Sequence, residues 1–490
     1  MKKISIDPIT RLEGHGRIDI FLDDAGSVDD CYLVIPEVRG FEKFVEGRPV
    51  EELPRITPRI CGVCPEAHHA ASAKAVDAVY GLEIPPAAEL IRRLQYNAFT
   101  ASDHATHFFA LGGPDFIMGP DAPPAERNII GVINKVGLDL AKKVIRMRKE
   151  GHEVSEMLGG KRIHPVGMIP GGQSKAVTPK MQKRLIEIGE YMVEFSRLTQ
   201  KIFADIVLAE KSYVDLILSD AFTHRTYYMS LVNEKNEPDV YDGQLRVINP
   251  DGKEIARYPG SDYLEHISEH VESWSYLKFP FLKKIGWKGF EDGPESGVYR
   301  VAPLGMLNAA ERMQTPLAQA EYEKMYETLG GKPVHATLAY HWARIIEMLQ
   351  SSELMLLHAR DEQLTDPNVR VLPTKTPSEG IGVVEAPRGI LIHHYKTDQS
   401  GIVERANLIV GTTNNHAPIQ LSVKKAAASL LDGGKEPTEE LLNMIEMAFR
   451  AYDPCFGCAT HSLPGQMPME VKIHASDGSL LHRLNRGTPL

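Results

Sequence analysis

Residues 180–202 carry the clearest periodicity in the chain. Met181, Leu185, Ile188, Met192, Phe195, Leu198 and Ile202 recur every three or four positions. One apolar stripe of that length predicts a long amphipathic helix. Weaker helical patterns cover Ala87 to Leu111, Arg127 to Leu158, Ala309 to Leu329 and Ala336 to Ala359. Thr438 to Ala451 predicts a shorter one, ending before Pro454 because the residue ahead of a proline is pushed out of helical space. Alternation replaces the helical period in three places. Residues 17–37 predict a hairpin, Arg17 to Leu22 and Cys31 to Pro36, turning at "DDAGS". Residues 381–411 predict two strands joined near Asp398 to Gly401. Met229 to Val301 reads as an irregular insertion, with a hairpin around Asn-Pro-Asp-Gly in "RVINPDGKEIARY". The expected class is therefore α+β, a large helical bundle with small peripheral β-sheets and hairpins.

At 490 residues the chain exceeds the usual size of one hydrophobic core, which predicts one large elaborated domain or two tightly joined ones. A net charge of −10 argues against a nucleic-acid partner. No apolar run reaches the length of a membrane span. The N-terminus "MKKISIDPITRLEGHG" has no apolar core or small-residue cleavage site of a secretory signal, which favours the cytoplasm. No G-x-G-x-x-G follows a strand and no G-x-x-x-x-G-K-[ST] occurs, so no nucleotide fold is expected.

The five cysteines redirect the reading. Cys61 and Cys64 form one C-x-x-C in "RICGVCPEAHH", and Cys455 and Cys458 form another in "DPCFGCATH". Cys31 is expected as a small buried apolar residue. Two such pairs make a four-thiolate site. Spacing alone admits a structural zinc, a four-iron cluster, or a soft-metal catalytic site with open positions. The flanking Glu66, His68, His69, Asp453 and His461 handle protons, and that surplus suits a reactive centre.

Around these pairs stand "DPITRLEGHGRI" (7–18), "RGFEKFVEGR" (39–48), "EAPRG" (385–389) and "NLIVGTTNNH" (407–416). In this order they resemble the large subunit of nickel–iron hydrogenases over essentially the whole chain. The resemblance implies that Cys61, Cys64, Cys455 and Cys458 bind nickel. Cys64 and Cys458 would bridge to an iron carrying carbon monoxide and cyanide. Glu42, the carbonyl of Leu408 and His461 would surround a magnesium ion. Glu13 would relay protons, and Arg388 would lie over the open nickel position, held by Asp103 and Asp453. Pro387 and Thr412 would line the iron's ligands, and His68 would hydrogen-bond a bridging cysteine. His107, four residues after Asp103, is read as structural.

The chemistry agrees with this expectation. Heterolytic H2 cleavage needs a hydride acceptor and a base. A thiolate such as Cys455 or Cys458 supplies the first base, and a carboxylate such as Glu13 the next. A guanidinium is a poor base, with a pKa above about 12. Beyond the four ligands only Cys31 remains, so an iron–sulfur relay needs a partner, the family's small subunit. The resemblance favours the cytoplasmic bidirectional class, with flavin and iron–sulfur subunits passing electrons to NAD(P) or ferredoxin. F420 or heterodisulfide linkage, a hydrogen sensor, a complex-I-like quinone module and a structural zinc protein are the alternatives. It also implies a catalytic unit over 1–461, including the 229–301 insertion. An extension over 462–490, a hairpin turning at Ser476-Asp477-Gly478, would be removed by a maturation protease at or next to His461.

Overall fold

In this computed structural model, which describes residues 2–38, 40–272, 274–460, 469–475 and 479–486, the chain opens on an antiparallel meander. Strands β1 (Lys2–Ile6), β2 (Arg17–Leu22) and β3 (Val28–Val34) lie in that order. Asp23 Oδ1 holds the β2–β3 turn by accepting from the amides of Ala25 and Ser27, each at 2.9 Å. The alternation predicts β2 and β3. The edge strand β1 is additional.

Helices α1 (Phe41–Val45), α2 (Pro65–Val79) and α3 (Pro86–Thr106) follow. Helix α3 stops short of Leu111 and passes into a wider π-helical turn over His107–Gly112. The pattern over 127–158 resolves into two helices, α4 (Ile129–Val136) and α5 (Leu138–Gly159). Gly137 separates them at φ 89°, a conformation that L side chains resist. The long helix α6 (Pro179–Phe203) has the predicted stripe, with Leu185, Ile188, Met192 and Phe195 buried. Thr178 caps it by accepting from the Met181 amide at 3.3 Å, and Pro179 occupies the first turn. Each such buried apolar side chain contributes roughly 1.5–3 kcal/mol.

The 229–301 segment contains regular strands. β4 (Tyr227–Val232), β5 (Gln244–Ile248), β6 (Glu254–Pro259) and β7 (Tyr299–Arg300) form one sheet in the order β7-β4-β5-β6. Asn249 makes the expected β5–β6 turn, accepting from the amides of Asp251 and Lys253. The helix predicted from Ala309 to Leu329 starts later, as α8 (Pro316–Thr328), and a separate helix α7 (Ala302–Ala309) precedes it. Helix α9 (Tyr340–Arg360) is buried around most of its circumference and packs against both α3 and α6. It is the central rod of the bundle.

The region expected as two strands has three: β8 (Glu379–Ala386), β9 (Gly389–Thr397) and β10 (Val403–Ile409). The β9–β10 turn is the one foreseen at Asp398. The β8–β9 turn consists of Pro387 and Arg388 alone, with Ala386 paired to Gly389. Helix α2 rests on β8. Gly380 and Gly382 allow this, because a Cβ at Gly382 would meet Ala71 O at 2.1 Å and one at Gly380 would meet Val79 N at 2.3 Å. A second apolar cluster joins Met229, Leu245 and Val247 to Ile390, Ile392 and Ile409, so the two sheets share a core.

Helices α10 (His416–Leu430), α11 (Glu439–Arg450) and α12 (Phe456–Ala459) complete the body, α11 being capped by Thr438. Beyond it, β11 (Met469–His474) pairs antiparallel with β12 (Leu480–Arg486). Residues 476–478, predicted as their turn, and His461 lie outside the described residues.

Candidate metal centre

The first cysteine loop is shaped by two breaks. A 3-10 turn over Thr57–Ile60 ends at Cys61, and Pro65 starts α2 directly after Cys64. The amides of Val63 and Cys64 point at Cys61 Sγ at 3.2 and 3.3 Å. The second loop leaves α11 through Asp453, whose φ of 55° is left-handed. Cys455 then precedes α12 and Cys458 lies within it. The N-terminal segment runs alongside: Glu13 and Cys455 form a parallel bridge, and the Phe456 amide donates to Glu13 O at 3.1 Å.

All four cysteines are buried, and their sulfurs lie within 4.8 Å of one another. Cys61 and Cys455 sulfurs are 3.5 Å apart, Cys64 and Cys458 3.4 Å, and Cys455 and Cys458 2.9 Å. Burial pushes the Cys455 and Cys458 thiols up, whereas hydrogen bonds from Cys455, Cys458 and Cys64 hold Cys61 low. Crowded sulfurs sharing protons unevenly are what a bound cation relieves, since ligands bind it as thiolates. Beside Cys64, Cys455 and Cys458 is a cavity walled by Ala67, Ala386, Leu391 and Val410, with His68, Arg388 and Thr412 at its edge.

Proton-handling groups ring the sulfurs. Glu13 Oε2 lies 3.1 Å from Cys455 Sγ and accepts from the Gly457 amide at 2.8 Å. Burial, then the Cys61 charge, raises its pKa against those hydrogen bonds. Arg388 sits at the tip of the β8–β9 turn. Its Nη2 is 2.9 Å from Asp453 Oδ2, its Nη1 3.2 Å from Asp103 Oδ2, and its Nε donates to Asp453 O at 2.8 Å. Burial opposes its charge, but Asp103 and Asp453 overcome that and push its pKa up. Burial raises Asp103 to about 6 despite Arg388. Gly411 packs on this turn, where a Cβ would meet Arg388 C at 2.9 Å.

The remaining expected residues fall as follows. Thr412 Oγ1 accepts from the Cys455 amide at 3.1 Å. Pro387 lies in the Arg388 turn, between cavity-wall residues Ala386 and Arg388. His68 borders the cavity, and its Nδ1 lies 3.1 Å from His393 Nε2. Glu42 is buried on α1, which packs on β10, the strand of Leu408. His107 is buried, 3.0 Å from Arg450 O and 3.9 Å from Asp453 Oδ1. The sequence reading missed Arg344 on α9. It is buried, donates to Pro387 O at 3.1 Å and lies 3.5 Å from Asp453 Oδ2. Its neighbours His104 and Glu347 are buried 3.2 Å apart. The available signal was two charges, Arg344 and Glu347, in the apolar run "HWARIIEMLQ".

The family described as Nickel-dependent hydrogenase matches residues 39–128 and 229–461, and one described as HoxL-like matches 3–38. The chain belongs to the nickel-dependent hydrogenase family. The F420-non-reducing hydrogenase iron-sulfur subunit of Archaeoglobus profundus is 47% identical over 98% of this chain and 99% of its own. The NAD-reducing hydrogenase HoxS subunit beta of Cupriavidus necator is 39% identical over 98% and 99%. Among solved structures, an NAD+-reducing [NiFe]-hydrogenase in the H2-reduced state superposes with a TM-score of 0.86 at 38% identity, over 94% of this chain and all of that one. The Ni-Fe-Se hydrogenase of Desulfovibrio vulgaris Hildenborough, at 22% identity and a TM-score of 0.73, shares the fold.

This nickel-dependent hydrogenase large subunit therefore carries four soft sulfur donors where the family's metal centre is expected. The donor set fits: buried thiols in mutual contact suit nickel and iron. The adjoining cavity leaves room that a closed zinc tetrahedron has no use for.

Proposed function

We propose that Cys61, Cys64, Cys455 and Cys458 hold nickel, that Cys64 and Cys458 share it with an iron, and that the chain catalyses reversible H2 cleavage there. The observation that carries this is the packing of four buried sulfurs beside a cavity edged by Arg388. When bound, such a centre supplies the electron-accepting half of H2 cleavage and leaves a proton to the protein. The Cys455 thiolate takes that proton, and Glu13, 3.1 Å from the sulfur, carries it away. Asp103, Asp453 and Arg344 hold Arg388 in place, and its fixed charge orients and stabilises rather than accepts the proton.

The cavity wall supports carbon monoxide and cyanide on the iron: Ala386, Leu391 and Val410 offer an apolar surround, Thr412 flanks it, and Pro387 is proposed to line the ligands from the adjoining turn. Glu42, Leu408 O and His461 are proposed to hold magnesium, whose preference is for oxygen donors. The extension 462–490 is cleaved at or next to His461 during maturation, leaving 1–461 as the catalytic unit with the 229–301 segment built in. The mass of the active chain tests this, and a retained C-terminus refutes it.

Electrons pass to an iron–sulfur partner subunit in the cytoplasm and on to NAD(P) or ferredoxin through further subunits. The NAD-reducing relative supports the first acceptor. The 47% identical relative, by its name, weighs against F420. Metal content of the purified complex, with infrared spectra in the carbon monoxide and cyanide region, tests the centre. Zinc alone with a silent infrared window would end the reading. Side-by-side H2-dependent reduction of NAD(P), ferredoxin and F420 tests the acceptor.

A further inference from the structure

Helix α11 carries Glu446 and Arg450 one turn apart. Between them they grip both peptide groups that flank Thr10, three residues ahead of Glu13. Glu446 Oε1 accepts from the Thr10 amide at 2.8 Å, and Arg450 Nε donates to the Thr10 carbonyl at 3.3 Å. The two side chains also pair with each other. Arg450 Nη1 reaches Asp115 Oδ2 at 2.6 Å, and Arg11 Nη2 takes the other oxygen of that carboxylate. Arg11 is tied further by a hydrogen bond from Nη1 to Leu111 O at 2.9 Å. Asp115, Glu446 and Arg450 are buried. Burial opposes the Asp115 charge, but Arg450 and Arg11 outweigh it and hold its pKa below the ordinary carboxylate value. The segment is pinned again at its far end, where the Phe456 amide donates to Glu13 O. Residues 10–13 are thus fastened at both ends to the stretch 446–456, and Cys455 belongs to that stretch.

We propose that Glu446, Arg450 and Asp115 are positioning residues that hold the Glu13 segment on the second cysteine loop and so fix the reach from Glu13 to the Cys455 sulfur. The inference rests on the proposed role of Glu13. Thr10 is exposed, so water would satisfy its peptide groups if the clamp let go. The clamp is therefore not needed to satisfy that backbone, and its effect is on position. Burying two guanidinium–carboxylate pairs also costs more desolvation than apolar packing would, and what such a network adds is a fixed register. Register matters here because Glu13 Oε2 lies 3.1 Å from Cys455 Sγ, already at the outer part of hydrogen-bond range. A shift of the segment by about 1 Å would carry the carboxylate out of reach. Arg450 ends α11, and the chain runs from it directly into the loop that bears Cys455. The same residue thus sets both partners of the contact.

The test uses the purified holoenzyme and reads nickel and iron content, amide hydrogen–deuterium exchange over residues 7–16 by mass spectrometry, and H2/D2 exchange. Glu446→Ala is expected to keep its metals and to lose amide protection over residues 7–16. Its H2/D2 exchange is expected to fall by on the order of 10–10²-fold, the scale of a misplacement near 1 Å. Glu446→Gln keeps an acceptor for the Thr10 amide and is expected to recover most of the rate. On a Glu13→Gln background, Glu446→Ala is expected to lower the rate no further, because the clamp acts through Glu13. Equal losses on both backgrounds would overturn the proposal, as would wild-type exchange and amide protection in Glu446→Ala at full metal occupancy. If Glu446→Ala loses its metals, Asp115→Asn, which keeps the shape of that carboxylate and drops its charge, takes its place under the same criteria. Metal loss in both would assign the network to folding of the centre and also overturn the proposal. A Glu13→Gln enzyme with unaltered exchange would instead overturn the underlying role of Glu13.

Discussion

At the residue scale, the pairing of Glu13 with Cys455 makes the sharpest prediction. Glu13→Gln keeps an acceptor for the Gly457 amide and nearly the same shape, so the metals should remain. H2/D2 exchange should fall by roughly 10²–10⁴-fold, the usual range for a lost general base. An unchanged exchange rate would remove Glu13 from the proton route. Cys458→Ser exchanges a soft donor for a hard one and should lose the bimetallic centre, read as nickel and iron per chain. Arg344 is a different case. Asp453 faces both Arg344 and Arg388 in a dry interior. Arg344→Met strips one of two cations from a buried carboxylate, which should cost on the order of 3–5 kcal/mol in denaturant unfolding. An unaltered stability would mean that Arg388 alone satisfies Asp453.

At the scale of elements, the β8–β9 hairpin and its helix matter most. Gly382→Ala places a methyl 2.1 Å from the Ala71 carbonyl, so α2 must lift from the sheet. The expected result is a loss of about 1–3 kcal/mol or more, with weaker nickel retention because Cys64 caps that helix. Wild-type stability would show that the helix can shift freely. Glu385 on β8 is buried and accepts from the Leu231 amide at 3.0 Å, and burial raises its pKa to about 8. Its folded value exceeds the unfolded one, so its contribution is complete below about pH 4 and is lost as pH rises through about 8. Glu385→Gln should therefore flatten the unfolding profile between about pH 4 and 8, by on the order of 5 kcal/mol across that window. A superimposable profile over that window would contradict this.

Legibility followed the physics of each element. Helix α6 was readable because one face is buried and the other wet, which writes a period into the sequence. The two C-x-x-C pairs were readable as chemistry, and the motifs around them as a family. The Pro387–Arg388 turn was not legible as a turn, although Arg388 was. It is two residues long and flanked by apolar strands buried on both faces, so no polar loop marks it. Arg344 was invisible for the opposite reason. A charge in a helical pattern normally marks the solvent face, and only the packing of α9 between α3 and α6 shows that here it does not.

At the scale of the molecule, the proposed electron route leaves this chain. Cys31 is buried, and burial pushes its thiol well above the ordinary range, so it offers no ligand for a cluster. Reduction of a protein acceptor by H2 should therefore require the iron–sulfur subunit, whereas H2/D2 exchange should survive in the metal-loaded chain alone. Acceptor reduction by the isolated chain would show a second exit. Among the described residues, no helix is long and apolar enough to cross a membrane.

The donor set drawn from opposite ends of the chain has a consequence for synthesis. Cys61 and Cys455 are 394 residues apart. At about 5–20 residues per second, the first thiol pair leaves the ribosome roughly 20–80 s before the second exists. For that interval it is an open two-sulfur hook in a cell containing zinc and copper, both of which bind such ligands at least as tightly as nickel. Metal selectivity cannot therefore reside in the finished tetrathiolate alone. On the proposed nickel assignment it would fall to timing, with nickel delivered only once the second thiol pair has been made.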